Sequence, residues 1–419
     1  MLVVGAGVVG LFCALYCASR GFRVTIVDRH GEQRDGCSFG NTGMIVPSHF
    51  IPLAAPGMVA QGLKWMLDPA APFHIKPRAS WDLVAWALRF ARACSAARAR
   101  RAAPLLRDLA LASRACYETL AQTQNDCGLE RAGVLMLCKT SHALEEEGRV
   151  AEQARSLGMP VEVLSRSETA ALEPGVRMDV AGSVYYPLDC NLVPERLIAG
   201  LQRRLAERGV RFVWYTTVSR WVVVRDRIRA VVDERNEVIE ADEFVLAAGA
   251  WSPGLAQGLG LKMPMQAGKG YSLTWRHPPH LPKRCAVLVE ARVAVSPVAG
   301  ALRFGGTMEL AGLDECVNPI RVRSIVAAIP RYYPEFAPAD LAAIEPWRGL
   351  RPCSPDGLPY LGRSARCTNL LIATGHAMMG LSLGPITGKI AAQLLSGEAT
   401  GFDLALLSPD RYDASASSI

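Results

Sequence analysis

Several signatures are missing from this 419-residue chain. No run of about 18 uninterrupted apolar residues occurs, which excludes a transmembrane helix. No basic segment precedes the apolar start, and three glycines interrupt it, so the N-terminus does not read as a signal peptide. The twelve cysteines include no C-x-x-C pair. Scattered thiols in a chain of this size point to a reduced cytosolic protein rather than a disulfide framework. Cys13 and Cys17 share a helix face, but no His or second Cys pair joins them, so they read as packed core thiols and no metal is expected. His277 and His280 lie in a Pro-rich loop with no carboxylate at ligand spacing. The net charge of +7 is too mild for a nucleic-acid-binding surface. With Gly at 37 and Pro at 27, neither disorder nor a collagen-like repeat is indicated.

What is present is a globular enzyme composition, half apolar, with material for two domains. The chain opens with a short apolar strand, Met1 to Val4, followed by Gly5-Ala-Gly7-Val8-Val9-Gly10, a helix from Leu11 to Arg20, and a second strand ending at Asp28. The first strand is short enough that further chain is expected upstream of Met1. In this βαβ setting each glycine is there for a steric reason. Gly5 allows the turn, Gly7 lets a pyrophosphate approach the backbone, and Gly10 permits close helix packing. The helix N-terminus offers free N–H groups to phosphates. Asp28, about 18 residues beyond Gly10, stands where an acid accepts ribose hydroxyls.

Trp81 to Leu120 is helical by period, with a break expected at Pro104. It carries Arg89, Arg92, Arg98, Arg100, Arg101 and Arg107 with Trp81, Trp86 and Phe90. That surface suits an anionic membrane or an electron-accepting partner. It reads equally as a solvated basic helix face. From Met265 to Met308 strand-like runs follow one another without helices, a mixed or antiparallel sheet unlike the opening unit. The chain ends on the strand Leu370 to Ala373, a Gly-rich turn and the helix Leu381 to Leu395.

Three segments bear on whether the dinucleotide is FAD or NAD. Cys37 to Val46 is a small-residue loop after the second strand; Val245 to Ser252 is a buried strand ending in a small turn; Leu371 to Gly384 aims a helix N-terminus. A flavin would use that last helix, because its reduced form gains negative charge at the pyrimidine edge.

Together with Lys269-Gly-Tyr-Ser-Leu, Arg303-Phe-Gly-Gly-Thr-Met-Glu309, Trp347-x-Gly-Leu-Arg-Pro-x-x-Pro-Asp-Gly357 and Thr374-Gly-His, these segments resemble the FAD-dependent D-amino acid dehydrogenases of the glycine oxidase and D-amino acid oxidase superfamily. The resemblance covers nearly the whole chain. It implies an α/β fold, in which an FAD-binding Rossmann-like domain (1–60, 141–262 and 345–419) is interleaved with a smaller mixed-sheet substrate domain (61–140 and 263–344). It also implies oxidation of an amino acid Cα–N bond to an imine, with a small amino or imino acid as substrate and a quinone or redox protein as electron acceptor. Asn41, Thr42, Gly43, Met44 and Ile45 would pass along the flavin. Val218 would meet the adenine, while Arg29, Ala248, Gly249, Trp251 and Gly375 would stand beside the cofactor. Gly380, Leu381 and Ser382 would face the pyrimidine edge. Arg351 matches the arginine that binds the substrate carboxylate. Relatives in the glycine oxidase branch carry a further Arg where this chain has Ala377-Met378-Met379.

Each assignment has a plainer counterpart. Arg351 suits a carboxylate by its planar fork, or serves in an ion pair. Tyr271 lines the pocket or fills the core. His376 is an oriented supporting residue or a base. His49 is pocket wall or surface. The loop from Gly40 to Pro56 resembles the branch acting on cyclic imino acids such as cis-4-hydroxy-D-proline, with a broad-specificity D-amino acid dehydrogenase as the next reading. An NAD-dependent dehydrogenase and a catalytically idle flavin-carrying subunit are the rivals. The setting is cytoplasmic, with peripheral contact at the inner face of a membrane left open.

Overall fold

The computed structural model describes residues 1–413 apart from Arg34 and Pro69. A six-stranded sheet carries the opening motif, with strands in the order Tyr360–Arg363, Leu370–Thr374, Phe244–Leu246, Leu2–Val4, Thr25–Val27 and Arg211–Val213. Leu2–Val4 sits inside it and pairs in parallel on both sides, Val3 standing opposite Val245 and Ile26. Both faces are covered, which is why the central strands Leu2–Val4 and Phe244–Leu246 are continuous apolar runs. On one face the helices Val8–Ala18 and Gly380–Leu395 pack almost backbone to backbone: a Cβ on Gly388 would come within 2.5 Å of the Phe12 carbonyl. On the other lies an antiparallel sheet of Val218–Val224, Arg227–Asp233 and Val238–Glu240, with Trp221 edge-on to Phe244.

The second large sheet has nine strands. Its order is Pro346–Cys353, Gln266–Trp275, Ala301–Leu310, Val293–Val298, Cys285–Leu288, Val134–Cys138, Gly182–Tyr186 and Glu162–Ser165, with Phe73–Ile75 added in parallel against Ala301–Leu310. Its neighbours are mainly antiparallel, as the helix-free run of strands predicts. One face buries Leu273, Phe304, Tyr332 and Phe336 against the helix Pro319–Ala328.

The sheets do not divide at the domain boundaries expected from the sequence. Glu162–Ser165 and Gly182–Tyr186, assigned to the nucleotide domain, pair into the nine-stranded sheet, and so does Pro346–Cys353. Conversely, the helix Ala96–Thr123 packs Ala102, Leu106, Leu109 and Tyr117 into the same core as Phe12 and Ile386. The helical stretch also breaks at Cys94–Ser95 rather than at Pro104. Ser95 caps the new helix by accepting the Arg98 N–H at 3.3 Å. Pro104 is carried inside that helix on its exposed side, where Arg100, whose carbonyl it orphans, is also exposed to solvent.

Candidate active site

A cavity of about 480 Å³ runs between the two large sheets. One end is built from the opening motif. Gly5 has φ +103°, and a Cβ there would fall 2.5 Å from the Ala247 carbonyl oxygen. A Cβ on Gly10 would fall 1.9 Å from the Gly5 carbonyl oxygen. Gly7 differs: its missing Cβ meets nothing nearer than the Ser38 hydroxyl at 3.7 Å. Gly5 and Gly10 therefore serve the backbone's own packing, while Gly7 leaves room for a ligand.

Asp28 also braces this turn. One carboxyl oxygen accepts the Ala6 N–H at 2.7 Å and the other the His30 N–H at 2.9 Å. Val8, Val9, Val218, Ala248 and Gly249 line the walls. Arg29 lies 3.7 Å over the Trp251 ring, closing one side. The sequence reading missed Ser38, whose hydroxyl accepts the Val8 N–H at 3.1 Å at the helix start.

The other end is made of side chains. Arg351 lies in the edge strand Pro346–Cys353, opposite Gly268, and not on a loop. An extended strand satisfies the residue before a proline as well as a turn does. Its guanidinium covers Gly270, where a Cβ would be 2.0 Å from Nη1, and Nη1 donates to the Thr307 carbonyl at 2.9 Å. No carboxylate pairs with it among the described residues. The next cation along the strand, Arg348, is by contrast paired with Asp35.

His376 is buried beside this strand. Its Nε2 lies 2.9 Å from the Thr387 hydroxyl, and the next residue, Ala377, donates its N–H to the Pro352 carbonyl at 2.9 Å. Burial pushes its pKa down to about 4, so the ring is neutral at physiological pH. Tyr271 does not reach the cavity. Its hydroxyl donates to Glu309 at 2.8 Å on the opposite face of the sheet, where the side chain is 1% exposed. Strand alternation gives the cavity face to Gly270 and the core face to Tyr271. His49 lines a second, small cavity of about 40 Å³ with Ile51, Pro52 and Leu53; this space shares His376, Ala377 and Met378 with the large one.

The loop after the second strand is pinned rather than free. Asn41 lines the cavity and accepts the Gly43 N–H at 2.9 Å through its side chain. Thr42 packs its methyl where a Gly305 Cβ would be. Gly43 has φ +80°, and Met44–Ile45 pairs with Cys190–Asn191. Ser382 was expected at the cofactor's edge, yet its hydroxyl donates to the Met44 carbonyl and accepts the Val46 N–H, both at 3.2 Å. Gly10, Thr42, Gly43, Met44, Ile45, Gly375 and Ser382 thus shape the walls from behind. Gly380 and Leu381 do line the cavity, at the start of the last helix.

Pro385 lies in the second turn of that helix and cannot bond the Leu381 carbonyl. The Tyr117 hydroxyl takes its place at 2.7 Å. Sequence reasoning missed this brace, although Pro385 itself was the visible signal. The residues fit an FAD: an open glycine and a helix N-terminus would take the pyrophosphate, a carboxylate would take the ribose end, and a second helix N-terminus would favour an anionic reduced flavin.

The model of the family described as FAD dependent oxidoreductase matches residues 1–394. A D-amino acid dehydrogenase of Paramagnetospirillum magneticum is 34% identical over 420 residues, covering 98% of each chain. One from Bradyrhizobium diazoefficiens is 32% identical over 421 residues, again covering 98% of each. The crystal structure of glycine oxidase from Geobacillus kaustophilus superposes with a TM-score of 0.78 at 25% identity, covering 98% of each chain. By sequence, fold and the make-up of its cavity, this chain belongs to the FAD dependent oxidoreductase family.

Proposed function

We propose that the chain is an FAD-dependent dehydrogenase of D-amino acids, with cyclic D-imino acids such as D-proline or cis-4-hydroxy-D-proline as its preferred substrates. The observation that carries this reading is Arg351: a half-buried guanidinium facing a cavity, with one backbone partner and no carboxylate among the described residues. Such a group calls for an anion, and a planar fork suits a carboxylate. The near-full-length relatives named D-amino acid dehydrogenase supply the reaction class. The cyclic preference is supported by the resemblance of the Gly40 to Pro56 loop and by the small apolar cavity beside Met378.

A bound FAD would supply the hydride-accepting chemistry for the carbon that bears the amine. The chain's own residues orient the substrate and exclude water. Arg351 holds the carboxylate, neutral His376 and Thr387 fix the turn beside it, and the Gly380 helix start favours the negative charge that develops. A broad-specificity enzyme needs only the same anchor.

A quinone or redox protein is proposed as acceptor, reached at the cytoplasmic face of a membrane. The helices Met58–Met66 and Trp81–Ala93 support this, exposing Leu63, Trp81 and Leu88 near Lys64 and Arg92. Among the described residues no helix is long and apolar enough to cross a membrane, so such contact is peripheral. The test is anaerobic bleaching of the bound flavin by a panel of D- and L-amino acids that includes the proline and hydroxyproline isomers. Bleaching by D-proline isomers first, and by L-isomers not at all, is expected. No bleaching by any member would leave only the idle flavin-carrying subunit.

A further inference from the structure

Asp189 is a fully buried carboxyl that the fold does not pair with a cation at ion-pair distance among the described residues. Both its oxygens are given to one neighbour. The Ser48 N–H donates to Oδ1 at 3.0 Å, and the Ser48 hydroxyl donates to Oδ2 at 2.5 Å. The same hydroxyl oxygen lies 3.1 Å from His49 Nδ1. A serine has one proton to give. With that proton committed to an ionised Asp189, its oxygen accepts from Nδ1–H, and the His49 Nε2 is left with a lone pair. His49 lines the small cavity that adjoins the Arg351 cavity at His376, Ala377 and Met378.

We propose that His49, Ser48 and Asp189 form a proton relay that removes the proton from the substrate's ammonium before the carbon–hydrogen bond breaks. The proposal rests on the reading of the substrate as an amino or imino acid. An ammonium cannot release hydride from its carbon; the neutral amine can. In the step, the substrate N–H bond breaks and His49 Nε2 gains the proton. The Nδ1 proton passes to Ser48, and the Ser48 proton to Asp189. The net change is one N–H bond lost and one Asp189 O–H bond formed, with no electrons transferred. The hydrogen bonds of the chain then point in the opposite sense, and they reset when the proton leaves by the same route.

The electrostatics suit a relay rather than a storage imidazole. Burial and the facing Arg292 push the His49 pKa down to about 4, so the ring does not hold a second proton. Burial pushes the Asp189 carboxyl up to about 7, partly offset by its Ser48 hydrogen bonds and by Arg114. Tyr186, Cys190 and Cys285 also lie close enough to Asp189 to interact, and burial raises all three, the two thiols to about 11 and about 12. Glu147, its own pKa raised by burial, faces Arg292.

The test follows flavin reduction against pH in anaerobic single turnovers of the holoenzyme, for wild type, Ser48→Ala and Asp189→Asn. Flavin content is checked first. Both variants should lose about 10²-fold in rate at neutral pH and recover towards wild type at high pH, where the ammonium ionises unaided. An equal loss at every pH, or no loss at all, overturns the relay. A second readout needs no substrate: nitrogen NMR of His49. The Nδ1–H form should dominate above the Asp189 value of about 7 and the Nε2–H form below it, with the switch abolished in Asp189→Asn. A tautomer that does not respond to Asp189 contradicts the relay. If wild-type flavin is bleached by no amino acid, the proposed function fails, and the NMR readout still decides on the relay.

Discussion

The two ends of the large cavity are built by different means. The nucleotide end is mostly backbone: Gly5, Gly7 and Gly10, a helix start, and Asp28 holding the Ala6 N–H. These parts come from one continuous stretch of chain, 5–28, and Val218, Ala248 and Trp251 complete the walls. The reaction end is side chains brought from far apart. Arg351 comes from an edge strand and His376 from a turn, and in the adjoining small cavity His49 comes from a loop that reaches Asp189 across 141 positions. The first end is specified by close approach and leaves little freedom to vary. The second is specified by which face of a strand each side chain takes.

Gly7→Val breaks the comparison most sharply. The branched side chain enters space that only the Ser38 hydroxyl borders, so the protein should fold and purify without flavin. A fully yellow variant would show that this turn does not hold the pyrophosphate. Gly10→Ala acts on the fold instead, because its Cβ would lie 1.9 Å from the Gly5 carbonyl oxygen. Soluble yield and thermal midpoint should both drop, whether or not FAD is supplied.

Tyr117→Phe leaves the Leu381 carbonyl, orphaned by Pro385, without its partner. Denaturant titration should show a loss of about 1–3 kcal/mol, with the flavin spectrum perturbed because Leu381 lines its cavity. The smallest effect is expected from Tyr271→Phe. It removes the hydroxyl between Glu309 and the Asn318 N–H and should cost about 1 kcal/mol. Flavin reduction rates should be unchanged; a rate change would return Tyr271 to the active site.

The same contrast explains what the sequence made legible. A Gly-x-Gly-x-x-Gly turn between strand and helix, with an acid after the next strand, can be read because its parts are contiguous and each glycine has a steric reason. The helix-free run of strands likewise announced the mixed sheet. Arg351 was singled out by its motif, but the edge strand that carries it was not, because Pro346, Gly349 and Pro352 read like loop residues and an edge strand tolerates them. For Tyr271 the choice between pocket and core turned on one position of strand parity, which turns every side chain to the opposite face. The empty Gly270 is what admits the Arg351 guanidinium. Ser382 was assigned by its place in a helix start, and only tertiary structure shows its hydroxyl spent on Met44 and Val46. Asp189 carried no local signal, since its partner is distant in sequence. The break at Ser95 is legible in principle as an N-cap serine ahead of the Arg-rich helix.

The central claim is that Arg351 anchors the substrate carboxylate at an end of the cavity separate from the cofactor's phosphates. It is tested most directly by measuring flavin content and anaerobic flavin reduction together in Arg351→Ala. Removing one partner of a buried charge pair costs about 3–5 kcal/mol. The apparent affinity for a D-amino or D-imino acid should therefore fall roughly 10²–10³-fold, with full flavin content. Arg351→Lys should recover only part, since it keeps the charge and loses the fork. A flavin-replete Arg351→Ala enzyme reduced at wild-type substrate concentrations would contradict the account.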